Sequence, residues 1–116
     1  MKKNLLAFAT HKFASNVVEK VLEYGDSKTR RELIGLMLEP LPPSATVPPN
    51  TPMLMLMMSD LFANYVCQRS LAVADRDQLI RLAQLVRASA PELRRMTYGK
   101  HILAALDKAV LVAGIP

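Results

Sequence analysis

Three segments of this chain repeat one pattern, and that repetition constrains the fold more than any other feature. FASNVVEKVL begins at Phe13, FANYVCQRSL at Phe62 and YGKHILAALD at Tyr98. Each opens with an aromatic and a small residue, passes through two polar positions and then sets an apolar pair. The starts lie 49 and 36 residues apart. The shorter interval fits a three-helix repeat, and such units stack into a solenoid because none of them can bury its apolar face alone. The longer interval carries 13 extra residues, which a loop at 40–52 supplies. That stretch holds six of the eight prolines, and proline removes the N–H that a helix interior needs.

Within the copies the apolar positions follow a helical period. Phe13, Val17, Val18, Val21 and Leu22 share one predicted inner face, with Ser15, Asn16, Glu19 and Glu23 opposite. In the second copy Phe62, Val66, Cys67 and Leu71 fall inside, and Asn64, Tyr65 and Gln68 outside. Tyr98, Ile102, Leu103 and Leu106 repeat the inner pattern in the third. Further helices follow the first two copies. Asp75 with Gln78 three residues on has the form of a capping box, and Ser27 stands where a cap is expected before Glu32, Leu33, Ile34 and Leu36. Pro91 suits the first turn of a short helix, and residues 53–58 begin another, buried one. No strand is expected; the fold class is all-α.

Size and composition narrow the function. At 116 residues, 51% hydrophobic and 22% charged, the chain has the make-up of one globular unit. A net charge of +5 favours a polyanionic partner, nucleic acid before an acidic membrane surface. Cys67 is the only cysteine, which excludes an internal disulfide and points to an intracellular, cytoplasmic location. The opening residues have a faint signal-peptide look, but Thr10, His11 and Lys12 interrupt the apolar run. The longest uncharged apolar run, residues 53–58, is far below the ~20 residues that cross a bilayer, so no membrane role is expected. Neither a Gly-rich phosphate loop, a nucleophile elbow nor a metal-ligand spacing occurs, and the two imidazoles, His11 and His101, lie at opposite ends. Enzyme activity, metal and cofactor are therefore not expected.

The segments HKFASNVVEK, DLFANYVCQR and TYGKHILAALDK, in that order and with a proline-containing connection, resemble the last two repeats and closing half-repeat of Pumilio proteins. The resemblance covers nearly the whole chain. It implies a right-handed α-solenoid with a first repeat at 1–39, a loop at 40–52, a second repeat at 53–90 and a half-repeat cap at 91–116. In that family the second helix of each repeat faces single-stranded RNA. Two side chains meet one base edge and a third stacks between bases. By position the resemblance assigns Ser15 and Glu19, then Asn64 and Gln68, to base edges, and Asn16 and Tyr65 to stacking.

Residue chemistry agrees with this assignment. Each edge pair is four residues apart and so projects from one helix face. A glutamate carboxylate only accepts, which complements the adjacent N1–H and N2 amine of guanine. Glu19 therefore favours guanine. Gln68 both donates and accepts, matching uracil O4 and N3–H, with Asn64 donating to O2. By analogy with duplex readout such pairs discriminate by roughly 1–3 kcal/mol. The family's RNA runs antiparallel to the protein, which implies reading of 5′-UG from a UGUA-type element in messenger RNA 3′ untranslated regions, in the service of translational repression or decay. Lys20 and Arg69 stand where phosphate contacts are expected. Ala104 replaces the second reading group beside Lys100 and His101, so the third copy is expected to cap rather than read.

Two other readings stay open. One is a protein-interaction scaffold working through its convex face or proline-rich loop, and the other is a non-functional truncated remnant. With two repeats and a cap, Leu5, Leu6 and Phe8 are expected at an uncovered N-terminal edge, giving poor stability or self-association. Regulatory protein partners are expected in addition to RNA.

Overall fold

A computed structural model describes residues 4–116, and every regular element in it is helical. The helices are α1 (Leu5–Ala9), α2 (Ala14–Tyr24), α3 (Ser27–Leu38), α4 (Met53–Met58), α5 (Ala63–Val73), α6 (Arg76–Ala88), α7 (Ala90–Leu93) and α8 (Thr97–Ala113). They stack in rows. In the middle row α5 packs between α2 and α8; on one side α4 lies against α1, and on the other α6 lies against α3. The three repeated segments therefore form the three neighbouring helices of one layer.

The beginnings of these helices follow from local chemistry. A side chain two residues before the opening aromatic supplies the missing acceptors in the first two copies. His11 Nδ1 accepts from the N–H of Phe13 and Ala14 at 3.1 and 3.2 Å, and Asp60 Oδ2 accepts from Phe62 and Ala63 at 2.9 and 2.8 Å. The α3 cap is Asp26, whose Oδ1 accepts from Thr29 N–H at 2.7 Å; Ser27 is the first helical residue instead of the expected cap. Asp75 and Gln78 do not form a capping box. Both turn across to α3: Arg31 donates to Asp75 and Asp77 at 2.8–2.9 Å, and Gln78 Nε2 donates to the Arg31 carbonyl at 2.9 Å. A guanidinium outcompetes a backbone N–H for the carboxylate, since charge-assisted bonds are the stronger ones. Pro91 stands in the first turn of α7.

At its far end α8 closes in a Schellman motif. Gly114 takes the left-handed conformation at φ 69°, and Ile115 N–H reaches Val110 O at 2.9 Å. Arg76 and Arg87 of α6 then donate to the carbonyls of Ala113 and Pro116 at 2.7 and 2.9 Å, tying the C-terminal turn down.

The core runs between the rows. Leu22, Ile34, Met37, Met57, Leu82 and Ile102 are almost fully enclosed, each contributing roughly 1.5–3 kcal/mol relative to exposure. Cys67 is buried among them, and that burial pushes its thiol far above the ordinary range. Residues 40–52 form a largely exposed loop closed at its base by an isolated antiparallel bridge between Pro40 and Pro52. There Leu41 N–H donates to Thr51 O at 2.8 Å and Met53 N–H to Glu39 O at 3.1 Å.

The uncovered edge differs from the expected one. Leu5 is buried, and Leu6 and Phe8 pack half-buried against the core. On this side the exposed apolar residues are Phe13, Val17 and Tyr24 of the α2 segment, at 68%, 52% and 77%; Leu111 and Val112 near the end of α8 are exposed as well. Val17 and Val66 are equivalent in the repeat, yet Val66 is fully enclosed, because α2 flanks α5 whereas nothing described flanks α2 on that side.

Candidate nucleic-acid interface

The middle row α2–α5–α8 carries all the predicted site residues. Side chains at equivalent positions, Asn16, Tyr65 and His101, are exposed, one from each helix. Glu19, Tyr65, Gln68 and Arg69 come together around a cleft of ≈ 250 Å³, with Ala105 of α8 as its third wall. The cleft thus joins the second edge position of two successive copies with the stacking residue between them. Ser15, Asn16, Lys20 and Asn64 are not part of its lining. Lys20 is exposed on the same helix as Glu19.

Ser15 and Asn64 depart from the expected outer face. Ser15 is 3% exposed and Asn64 0%. A helix in a stacked layer is flanked on both sides, so its buried arc is wider than the single stripe that amphipathic periodicity assumes. Asn64 meets burial by satisfying its amide internally. Its nitrogen donates to the carbonyls of Asp60 at 2.9 Å and Leu61 at 2.6 Å, and its oxygen accepts from Gln68 Nε2 at 3.1 Å. The Ser15 hydroxyl makes a long bond to Lys12 O at 3.4 Å. The two members of the second edge pair are therefore linked in series, with Gln68 outermost.

Electrostatics centre on Glu19. Partial burial raises its carboxyl above the usual range; the Arg69 guanidinium opposes that shift, and the like charge of Glu23 adds to it. Arg69 bridges α5 to α2 through Glu23 at 3.6 Å, and its Nε is enclosed with no hydrogen-bond partner among the described residues. The sequence reading passed over three contributors: Glu23 as the partner of Arg69, Ala105 as the wall, and the caps His11 and Asp60. The spacing contained the signal for two of them. Glu23 follows Glu19 by one helical turn, and His11 and Asp60 are equivalent residues in the repeat.

Comparison with known proteins decides the family. The model of the Pumilio-family RNA-binding repeat matches residues 4–37 and 55–86, more than half of the chain. This chain belongs to the Pumilio family. It is 34% identical over 108 residues to the mRNA-binding protein PUF3 of Saccharomyces cerevisiae, covering 90% of this chain. Among solved structures, PUF-8 in complex with PBE-RNA is 38% identical, with a TM-score of 0.77 over 92% of this chain and 29% of that one. The Puf3 RNA-binding domain bound to a Cox17 RNA 3′ UTR recognition sequence is 27% identical, with a TM-score of 0.62 over 96% of this chain and 30% of its own. The rows of helices are therefore part of a Pumilio helical-repeat solenoid, from a family of RNA-binding repeats and not of enzymes. The chain spans 12% of the length of the curated relatives PUF3 and a Pumilio domain-containing protein of Schizosaccharomyces pombe. Among the described residues no helix is long and apolar enough to cross a membrane.

Proposed function

We propose that the chain binds single-stranded RNA through the α2–α5–α8 layer and reads two successive bases, 5′-UG, of a UGUA-type element. The observation that carries this reading is the shared cleft, in which Glu19 and Gln68 face one space with Tyr65 between them. Glu19 offers two acceptor oxygens to the N1–H and N2 amine of guanine. Gln68 spends one N–H on Asn64 and keeps its second N–H and its Oε1 for uracil O4 and N3–H. Asn64, with both amide hydrogens engaged by the helix backbone, acts by holding Gln68 rather than by donating to uracil O2. Ser15 is buried as Asn64 is, with its hydroxyl on the Lys12 carbonyl, and Tyr65 and Asn16 supply stacking surfaces. Lys20 meets phosphate.

The RNA complexes of the structural relatives support a transcript as the ligand and a 3′ untranslated region as its place. On this reading the chain acts in post-transcriptional regulation in the cytoplasm, with regulatory protein partners. The chain is divided as a first repeat at 1–39, a loop at 40–52, a second repeat at 53–90 and a cap at 91–116. Phe13, Val17 and Tyr24 give the isolated chain a surface for self-association.

The test is binding to short RNAs beginning UG, UA and CG at fixed salt, since phosphate contacts are salt-sensitive. Wild type prefers UG; Glu19→Gln weakens discrimination at the second base and Gln68→Glu at the first. Equal, salt-driven binding to all three RNAs refutes base reading.

A further inference from the structure

Arg69 occupies a position from which a phosphate contact would be expected, yet its surroundings suit another task. Its guanidinium is held between helices by Glu23 of α2 at 3.6 Å, and its side chain forms one wall of the cleft that Glu19 also lines. From these contacts we propose that Arg69 is a positioning residue for Glu19: shared with Glu23 across the cleft, it favours the ionised, acceptor-only form of the Glu19 carboxylate, so that guanine reading persists to lower pH than it would without Arg69. This inference rests on the base-reading proposal, because only an acceptor-only Glu19 distinguishes guanine from adenine.

The chemistry is direct. A protonated Glu19 carries an O–H donor, which confronts the N1–H and N2 amine of guanine with a like group and suits an adenine N1 acceptor instead. Burial of the cleft pushes the carboxyl toward that neutral form, and Glu23, one turn along the same helix, pushes it further. Arg69 is the cation that counters both. Among the described residues, Arg69 and Glu23 are the charges that act on Glu19, and Lys28, Arg31 and Glu32 of α3 and His101 and Lys108 of α8 are not among them. The α1 helix has no titratable side chain, and Arg30 of α3 is directed at the carbonyls of Leu22 and Gly25 at 2.7 and 3.0 Å. From α5 the remaining lining groups, Tyr65 and Gln68, carry no cationic charge, and α8 contributes Ala105.

Two readouts on the full chain test this. In the first, the Glu19 side-chain carboxyl is followed by carbon NMR against pH in the free protein, assigned by its loss in Glu19→Gln. Arg69→Met moves the titration midpoint to higher pH than wild type, Arg69→Lys largely restores it, and Glu23→Gln alone moves it to lower pH. In the second, relative affinity for RNAs beginning UG and UA is measured across the same pH range. On acidification Arg69→Met loses its guanine preference at a higher pH than wild type does, and adding Glu23→Gln shifts that loss back. An unmoved Glu19 midpoint in Arg69→Met overturns the proposal whatever the RNA result. So does an equal drop in affinity for both RNAs with the salt slope reduced by about one, the mark of a phosphate contact. Absence of a UG preference in wild type at every pH refutes base reading itself, while the NMR titration still decides whether Arg69 controls Glu19.

Discussion

Gly99→Ala sets two effects against each other with opposite signs. The first two copies carry alanine at the equivalent positions, Ala14 and Ala63, so alanine is compatible with the repeat, and in a helix it gains about 1 kcal/mol over glycine. In the third copy the four-residue α7 lies across the start of α8. A Cβ on Gly99 collides with the carbonyl oxygen of Leu93 and comes to 2.8 Å of its carbonyl carbon and Cα. Backbone cannot swing aside as a flexible side chain can, so α7 must retreat and loosen Leu93, which is 1% exposed. Overpacking of this kind costs about 3 kcal/mol at the upper end of its ordinary range. Set against the propensity gain, the net loss is about 2 kcal/mol. With an unfolding entropy of roughly 2.1 cal/mol/K per residue, that lowers Tm by about 8 °C for a chain of this length. Thermal melts by circular dichroism at high dilution measure it, with Ala14→Gly, at the equivalent but only half-buried position of the first copy, as the reciprocal control that loses stability mainly through propensity. A Gly99→Ala protein that melts above wild type refutes the packing argument.

Three further outcomes are expected. Asp77 is held at about 2, below its ordinary 3.8, chiefly by hydrogen bonds from Arg31, so its unfolded form binds more protons between those values. Its contribution to stability is therefore present above about pH 4 and lost as pH falls toward 2; Asp77→Asn removes that slope in urea midpoints measured against pH, and high salt flattens it in wild type. Tyr65→Ala lowers affinity for UG RNA by roughly 5- to 150-fold, from ~1–3 kcal/mol of stacking, while the melt of this 53%-exposed position moves by less than about 0.5 kcal/mol. Replacing Phe13 and Val17 by serine removes the concentration dependence of sedimentation without lowering Tm, which an interface elsewhere would leave unchanged.

Much of the fold was legible because repetition and proline placement report on topology directly. The three related helices, the loop at 40–52 and the short helices at 53–58 and after Pro91 all follow from spacing and backbone chemistry. What periodicity misjudged was the width of each buried face. It placed Ser15 and Asn64 outward and Phe13 and Val17 inward, whereas stacking encloses the first two and leaves the others at an uncovered flank. Capping failed at Asp75 for a related reason. A one-dimensional motif cannot register Arg31, 44 residues away, as a competitor for the same carboxylate. Within the candidate site, Glu19, Gln68 and Tyr65 were visible as residues, but their meeting in one cleft with Arg69 depends on the offset between neighbouring helices.

The stapled base of the proline-rich connection has a practical meaning for modular construction. Because Pro40 and Pro52 pair, and the Leu41–Thr51 and Met53–Glu39 bonds hold the two ends together, α4 begins where a much shorter connection would also deliver it. The intervening segment is then a graft site. Closing entropy grows only by about 0.6 kcal/mol for each doubling of such a loop. A reporter peptide or a recruitment tag spliced between residues 43 and 49 would ride on an exposed loop, while the register of the neighbouring helical layers stays as it is.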